Sequence, residues 1–169
     1  MLNLSAEEIN FTSSYKVSLG DANSFYFTTN SGVTYNIGFV PDYMLADEDV
    51  YQFYIIDVEH KHAPNDHLVK QTILCVIEAF FKQEPNVMLY ICDTSDSRQG
   101  IRNRLFHLWF TEYDQNDKFT MINKDISFDG VIYYGSIILR KSHPFYEELT
   151  QKFQTLIDEL PGKIKELNI

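Results

Sequence analysis

Residues 86–113 read NVMLYICDTSDSRQGIRNRLFHLWFTEY. Val87, Leu89 and Ile91 alternate with Met88, Tyr90 and Cys92. Both sets are apolar, so the run predicts a strand covered on both faces, in the middle of a sheet. The polar corner Asp93, Thr94, Ser95, Asp96, Ser97 follows. Any of its last three side chains can accept bonds from the free N–H groups of a helix start, so a strand-to-helix turn is expected. In that helix Ile101, Leu105, Leu108 and Trp109 keep the i, i+4, i+7, i+8 spacing of a buried stripe, and Phe106, Phe110 and Tyr113 widen it. The pattern predicts a helix covered over more than half of its circumference.

Arg98, Arg102 and Arg104 stand in the first turns of this helix, where the partial positive charge of the helix start disfavours cations. None has an acidic residue three or four positions away, so an ordinary intrahelical ion pair is ruled out. Their partners are therefore distant in sequence or are not protein. One reading is an anion site made from the helix N-terminus and guanidinium groups. The other is structural, with Arg98 and Arg102 paired to Asp93, Asp96 or a carboxylate on a neighbouring strand.

The 169 residues make one domain of ordinary size, able to bury roughly 70% of the unfolded surface. Lys+Arg 14 against Asp+Glu 24 gives a formal charge of -10, which argues against non-specific binding to nucleic acid or to an anionic membrane. Cys75 and Cys92 both lie in apolar runs without metal spacing and read as core thiols in a reducing compartment. The start, MLNLSAEEIN, has neither a basic segment nor an apolar one, and the longest apolar run, residues 73–81, is broken by Glu78. A cytoplasmic location is expected.

Outward from the corner, residues 15–19, 25–29 and 33–40 read as a meander with turns at Gly20-Asp21-Ala22-Asn23 and Asn30-Ser31-Gly32. A frayed arm or a short helix precedes them. After an acidic connection at residues 42–49, residues 50–58 form a fourth, doubly covered strand. Val69, Ile73, Val76, Ile77 and Phe80 then share a helical face that Glu84-Pro85 stops. Residues 118–122 and 131–140 are the last strands, joined by a connection at 123–130, with a bulge or close approach expected at Gly135-Ser136. Pro144 opens a final helix in which Leu149, Phe153, Leu156, Ile157 and Leu160 are the buried stripe, and Pro161-Gly162 ends it. The expectation is a single α+β domain over residues 1–169, with a mixed, mostly antiparallel sheet of about seven strands and three main helices.

This element order, from the first strand through Arg140, resembles that of the N-acetyltransferase superfamily, which is built around acetyl-CoA. The helix at 101–113 followed at once by Lys118-Phe119 is similar to the aromatic helix and short strand of that family. The resemblance implies an acyl-CoA site at the turn after the fourth strand, where a glycine-rich loop offers backbone N–H groups to the pyrophosphate. Here the turn reads EHKHAPND, with no glycine and with Pro64 removing a donor. In Arg98-Gln99-Gly100-Ile101-Arg102 the glycine follows the wrong strand, and Arg102 stands where a small residue belongs. At closer range, residues 90–109 resemble a family of small bacterial proteins of unassigned function, known from Bacteroidetes, which brings no activity with it.

Other chemistry has thin support. His60 and His62 would share a face with metal spacing only if the fourth strand continued to them, and Pro64 argues for a loop. No G-x-S-x-G elbow occurs, and Cys92 falls in the strand pattern. His107 lies two turns inside the helix, away from Arg98. Asp93 and Asp96 would need raised pKa values to act as bases, and nearby arginines push the other way. The chain is therefore expected to be a non-enzymatic binding or regulatory module, with no metal and no cofactor. It would recognise a protein partner or an anionic small molecule at the corner through Asp93, Asp96, Arg98, Arg102 and Arg104. The competing expectation is an acyl-CoA-dependent N-acyltransferase whose divergent phosphate loop is residues 59–66.

Overall fold

The computed structural model describes residues 2–46, 49–61, 64–92 and 97–167. The elements run α1 (Ala6–Asn10), β1 (Ser18–Leu19), β2 (Ser24–Thr28), β3 (Thr34–Pro41), β4 (Val50–Asp57), α2 (His67–Lys82), β5 (Val87–Ile91), α3 (Gln99–Tyr113), β6 (Phe119–Phe128), β7 (Val131–Arg140) and α4 (Tyr146–Leu167). The seven strands form one sheet in the order β1-β2-β3-β4-β5-β7-β6. Only β4 and β5 pair in parallel, through the α2 crossover, and every other pairing is antiparallel. The fold is thus α+β with a mixed, mostly antiparallel sheet and the N-acetyltransferase-like element order expected from the sequence.

β5 is interior and desolvated on both faces. Met88 and Tyr90 enter a core with Phe39, Phe53, Phe80, Phe106 and Phe110, under α1, α2 and α3. Val87 and Leu89 enter a second core with Ile137, Leu139, Leu149, Phe153 and Ile157, under α4. The first core is rich in aromatic contacts: Phe39 stacks on Phe80 at 4.2 Å, Tyr90 lies 4.1 Å from Phe106, and Phe81 lies 4.6 Å from Phe119. The N-terminal arm closes this core with Leu2, Leu4 and Ile9, all buried, and α1 starts on a cap in which Ser5 accepts from the Glu8 N–H. At α2 the Asp66 carboxylate is the cap, accepting from the Leu68 N–H at 2.9 Å.

Several local expectations are corrected. The connection at 123–130 is strand almost to its end, because Asp129 (φ 50) and Gly130 (φ 77) make a two-residue hairpin turn that needs positive φ at both positions. An Asp-Gly pair carries that signal in sequence. β6 consequently pairs with β7 in unbroken register from Phe119↔Arg140 to Phe128↔Val131, and no bulge occurs at Gly135-Ser136. β1 is only two residues long. In the connection after β3, Leu45 is buried, because it packs into the α4-side core. α4 runs on through Pro161-Gly162 to Leu167, since a proline removes one ladder bond without necessarily ending a helix. β4 stops at Asp57, and His60 sits in a turn at φ 54, so the strand does not carry it onto a shared face.

The largest correction concerns α3. Phe106 and Phe110 are buried, and Trp109 and Tyr113 are half-buried against the same core. Ile101, Leu105 and Leu108 are 52%, 43% and 55% exposed. At 3.6 residues per turn these three span roughly 60° of arc opposite the phenylalanines, and a flat sheet covers one side of a helix only. Phe106→Ala should therefore cost about 3–5 kcal/mol, whereas Leu105→Ala should stay within about 0.5 kcal/mol of wild type. Urea denaturation of the two variants measures the difference directly.

Candidate functional site

β4 and β5 pair only from Val50↔Val87 to Phe53↔Tyr90. Beyond this the carboxyl ends of the parallel pair part, with α2 starting after one and α3 after the other. Ligands of α/β sheets gather at such carboxyl ends. Asp93 and Asp96 lie outside the described residues, and so does His62.

The three arginines do not converge on one point. Arg102 is half-buried, and its charge acts on Tyr90 and Cys92 beneath the helix. Arg98 and Arg104 are exposed and fall on either side of the Ile101-Leu105-Leu108 ridge by helical geometry. Arg98 and Arg102 are each already engaged in interactions within the chain. Arg98 is the N-cap residue, its side chain making no cap bond. The helix carries no acid in its first turn, and Glu112 near its end pairs with Lys70 of α2.

Burial pushes the Cys92 thiol and the Tyr90 hydroxyl up from their ordinary pKa values. Cys92 is thereby held as a neutral core thiol rather than a nucleophile. Under α3, Ser136 donates to Asn123 Oδ1 at 2.6 Å, so its oxygen can only accept from His107 Nε2, 3.3 Å away. Proton donation by the imidazole is the wrong polarity for activating a serine. The network instead fastens α3 to the β6–β7 hairpin, an anchoring role that neither Ser136 nor Asn123 announces in sequence. Gln99 Nε2 adds a bond to the Ile132 carbonyl at 3.1 Å. A Cβ at Gly100 would make ordinary contact with the Tyr134 hydroxyl, at 3.4 Å.

At the start of α2 the Tyr15 hydroxyl donates to Asp66 and accepts from the Asn30 N–H at 3.2 Å. This bond holds the Asp66 carboxyl below the usual carboxylate range. The chain's own anion thus occupies the helix start where a phosphate would bind. Among the described residues no group of three or more His, Cys, Asp and Glu is placed to hold a metal ion, and none of the helices is long and apolar enough to cross a membrane.

Residues 65–155, more than half of the sequence, match a family of unknown function, DUF6169. The chain belongs to that family. The matched region takes in α2, β5, α3, β6, β7 and the first half of α4, and so includes the corner, the ridge and the His107 network, while β1 to β4 precede it. Comparison with curated proteins gives no match. Among solved structures, a CoA-dependent acyl-homoserine lactone synthase is similar at 8% identity, over 83% of this chain and 72% of that one, with a TM-score of 0.41. A likeness that remote carries no functional argument.

The residues that sequence reasoning missed are those of the ridge. Ile101, Leu105 and Leu108 are visible as an apolar face, yet nothing local says which apolar face of a doubly apolar helix meets the sheet.

His107 yields a pH prediction. Burial lowers its pKa, outweighing the opposing bond to Asn123, so the folded state favours the neutral ring. The unfolded chain takes up a proton near the ordinary value of about 6.5. Its contribution to stability is therefore complete above that pH and declines as pH falls below it. The melting temperature should drop between pH 7.5 and pH 5, and His107→Gln, which keeps a donor for Ser136, should remove part of that drop. An unchanged pH profile in the variant would contradict this assignment.

Proposed function

We propose that this protein is a non-enzymatic binding module that docks a protein segment bearing acidic and apolar side chains on the outer face of α3. The observation that carries this reading is the exposed ridge Ile101, Leu105 and Leu108, flanked by the exposed Arg98 and Arg104. In a chain of net charge -10, residues 98–111 contain three arginines and no acid. An apolar stripe with cationic margins fits an amphipathic helix with acidic margins, the apolar face supplying affinity and the charges orientation. Arg104 is the most open of the three cations, because among the described residues no hydrogen bond or ion pair engages it.

A fluorescein-labelled synthetic helix with leucines at i, i+3, i+4 and i+7 and flanking glutamates is the probe. Its anisotropy should rise with protein at micromolar concentrations, weaken as salt is added, and lose at least tenfold in affinity with Leu105→Glu or Arg104→Glu. A peptide that binds both variants as well as wild type would place the docking surface elsewhere.

A second reading, an acyl-CoA-dependent N-acyltransferase, is favoured by the parting of β4 from β5 after Phe53 and Tyr90. Against it stands Asp66, whose carboxylate already accepts the free Leu68 N–H at the start of α2. Saturating CoA or acetyl-CoA should accordingly leave the melting temperature unchanged. A ligand held at 100 times its dissociation constant would add about 2.7 kcal/mol, and a stabilisation of that size would restore the enzymatic reading.

A further inference from the structure

Two adjoining clefts, of about 630 and 500 Å³, open on the other face of the sheet between residues 43–46 and α4. They share Met44, Leu45, Glu148 and Lys152, so they form one groove that runs from Phe145 along α4 to Glu159. Its floor is apolar and buried, with Leu45, Val50, Val87 and Leu149 from the second core. Around its mouth stand Tyr43, Met44 and Phe145, which are 72%, 61% and 61% exposed. The charged lining is acidic in balance: Asp49, Glu148 and Glu159 against Lys152 alone, and Lys152 is itself paired with Glu148 at 2.9 Å.

We infer that this groove receives the α3 ridge of a second copy of this chain, an inference that rests on the docking role proposed above and names its partner. The two surfaces match in kind. One is a convex apolar stripe with arginine margins, the other a concave apolar floor with a carboxylate rim. The groove is long enough for the ridge: Ile101 to Leu108 spans about 11 Å, and the groove follows residues 146–159 of α4 for about 20 Å at the helical rise. A ridge-to-ridge pairing is disfavoured, because a twofold axis near Leu105 would bring Arg104 of one copy close to Arg104 of the next.

Ridge and groove lie on opposite faces of the sheet, so one copy cannot satisfy itself. The contact is heterologous, and each added copy leaves a free ridge at one end and a free groove at the other. Chains or closed rings follow, rather than a closed pair.

Sedimentation of the full chain across a concentration series tests this. The wild type should grow in mass beyond a dimer as concentration rises and shrink as salt is added. Leu105→Glu on the ridge, and separately Phe145→Glu or Met44→Glu in the groove, should each give a monomer with an unchanged melting temperature, since all three side chains are exposed. Mixing the ridge variant with a groove variant should then restore a one-to-one dimer and nothing larger, because one intact ridge and one intact groove remain. A mixture that stays monomeric overturns the inference, as does a groove variant that still associates. A wild type that is monomeric throughout yet binds the acidic peptide overturns the second copy as partner and leaves the docking ridge standing. If peptide binding fails too, both readings fall.

Discussion

The burial of β5 on both faces is the constraint from which the arrangement of the other elements follows. Met88 and Tyr90 reach one core and Val87 and Leu89 the other, so the strand needs layers on both sides and hydrogen-bonded neighbours at both edges. β4 supplies one edge in parallel and β7 the other in antiparallel sense. A parallel neighbour requires a crossover, and α2 is that crossover. Its Phe80 lies stacked on Phe39 of β3. The α2–α3 layer and the α4 layer are thus consequences of one strand that has no solvent-facing side along most of its length.

That constraint also shapes the candidate site. α3 leaves the end of β5 and must return across the sheet, seating Phe106 against Tyr90 and Phe53 and fastening His107 to Ser136. Once those contacts orient the helix, its opposite arc faces outward, and with it Ile101, Leu105 and Leu108. An apolar ridge in water is unfavourable for an isolated monomer and is expected where a surface is made to be covered. The same geometry separates the arginines: Arg102 is half-buried, while the exposed Arg98 and Arg104 margin the ridge. A corner that reads in one dimension as a single cationic cluster is, in three, a charged border around an apolar stripe.

Three polar groups around this corner are held by the same packing. Burial raises the Cys92 thiol, the Ser136 proton is committed to Asn123, and Asp66 fills the anion position at the start of α2. Among the described residues, Cys92, Ser136 and Asp66 are thus engaged in holding the fold. The docking role proposed for α3 rests instead on the groups left exposed, Ile101, Leu105 and Leu108.

Much of the architecture was legible in residues alone, because it depends on short-range rules. The doubly apolar run of β5, the 3.6-residue pattern of Leu149, Phe153 and Ile157 in α4, and the turns at Asn23 and Gly32 are each decided within a few positions of the chain. The Asp129-Gly130 hairpin was equally local, although the polar residues before it read as loop. What only the tertiary structure decided was direction. Periodicity specifies that α3 has apolar residues on two arcs, but which arc is buried depends on Phe53, Tyr90 and Phe119, contributed by three separate strands. The groove beside α4 depends likewise on residues 43–46 meeting a helix about a hundred positions later. A surface assembled from separate segments leaves no periodic signature in any of them.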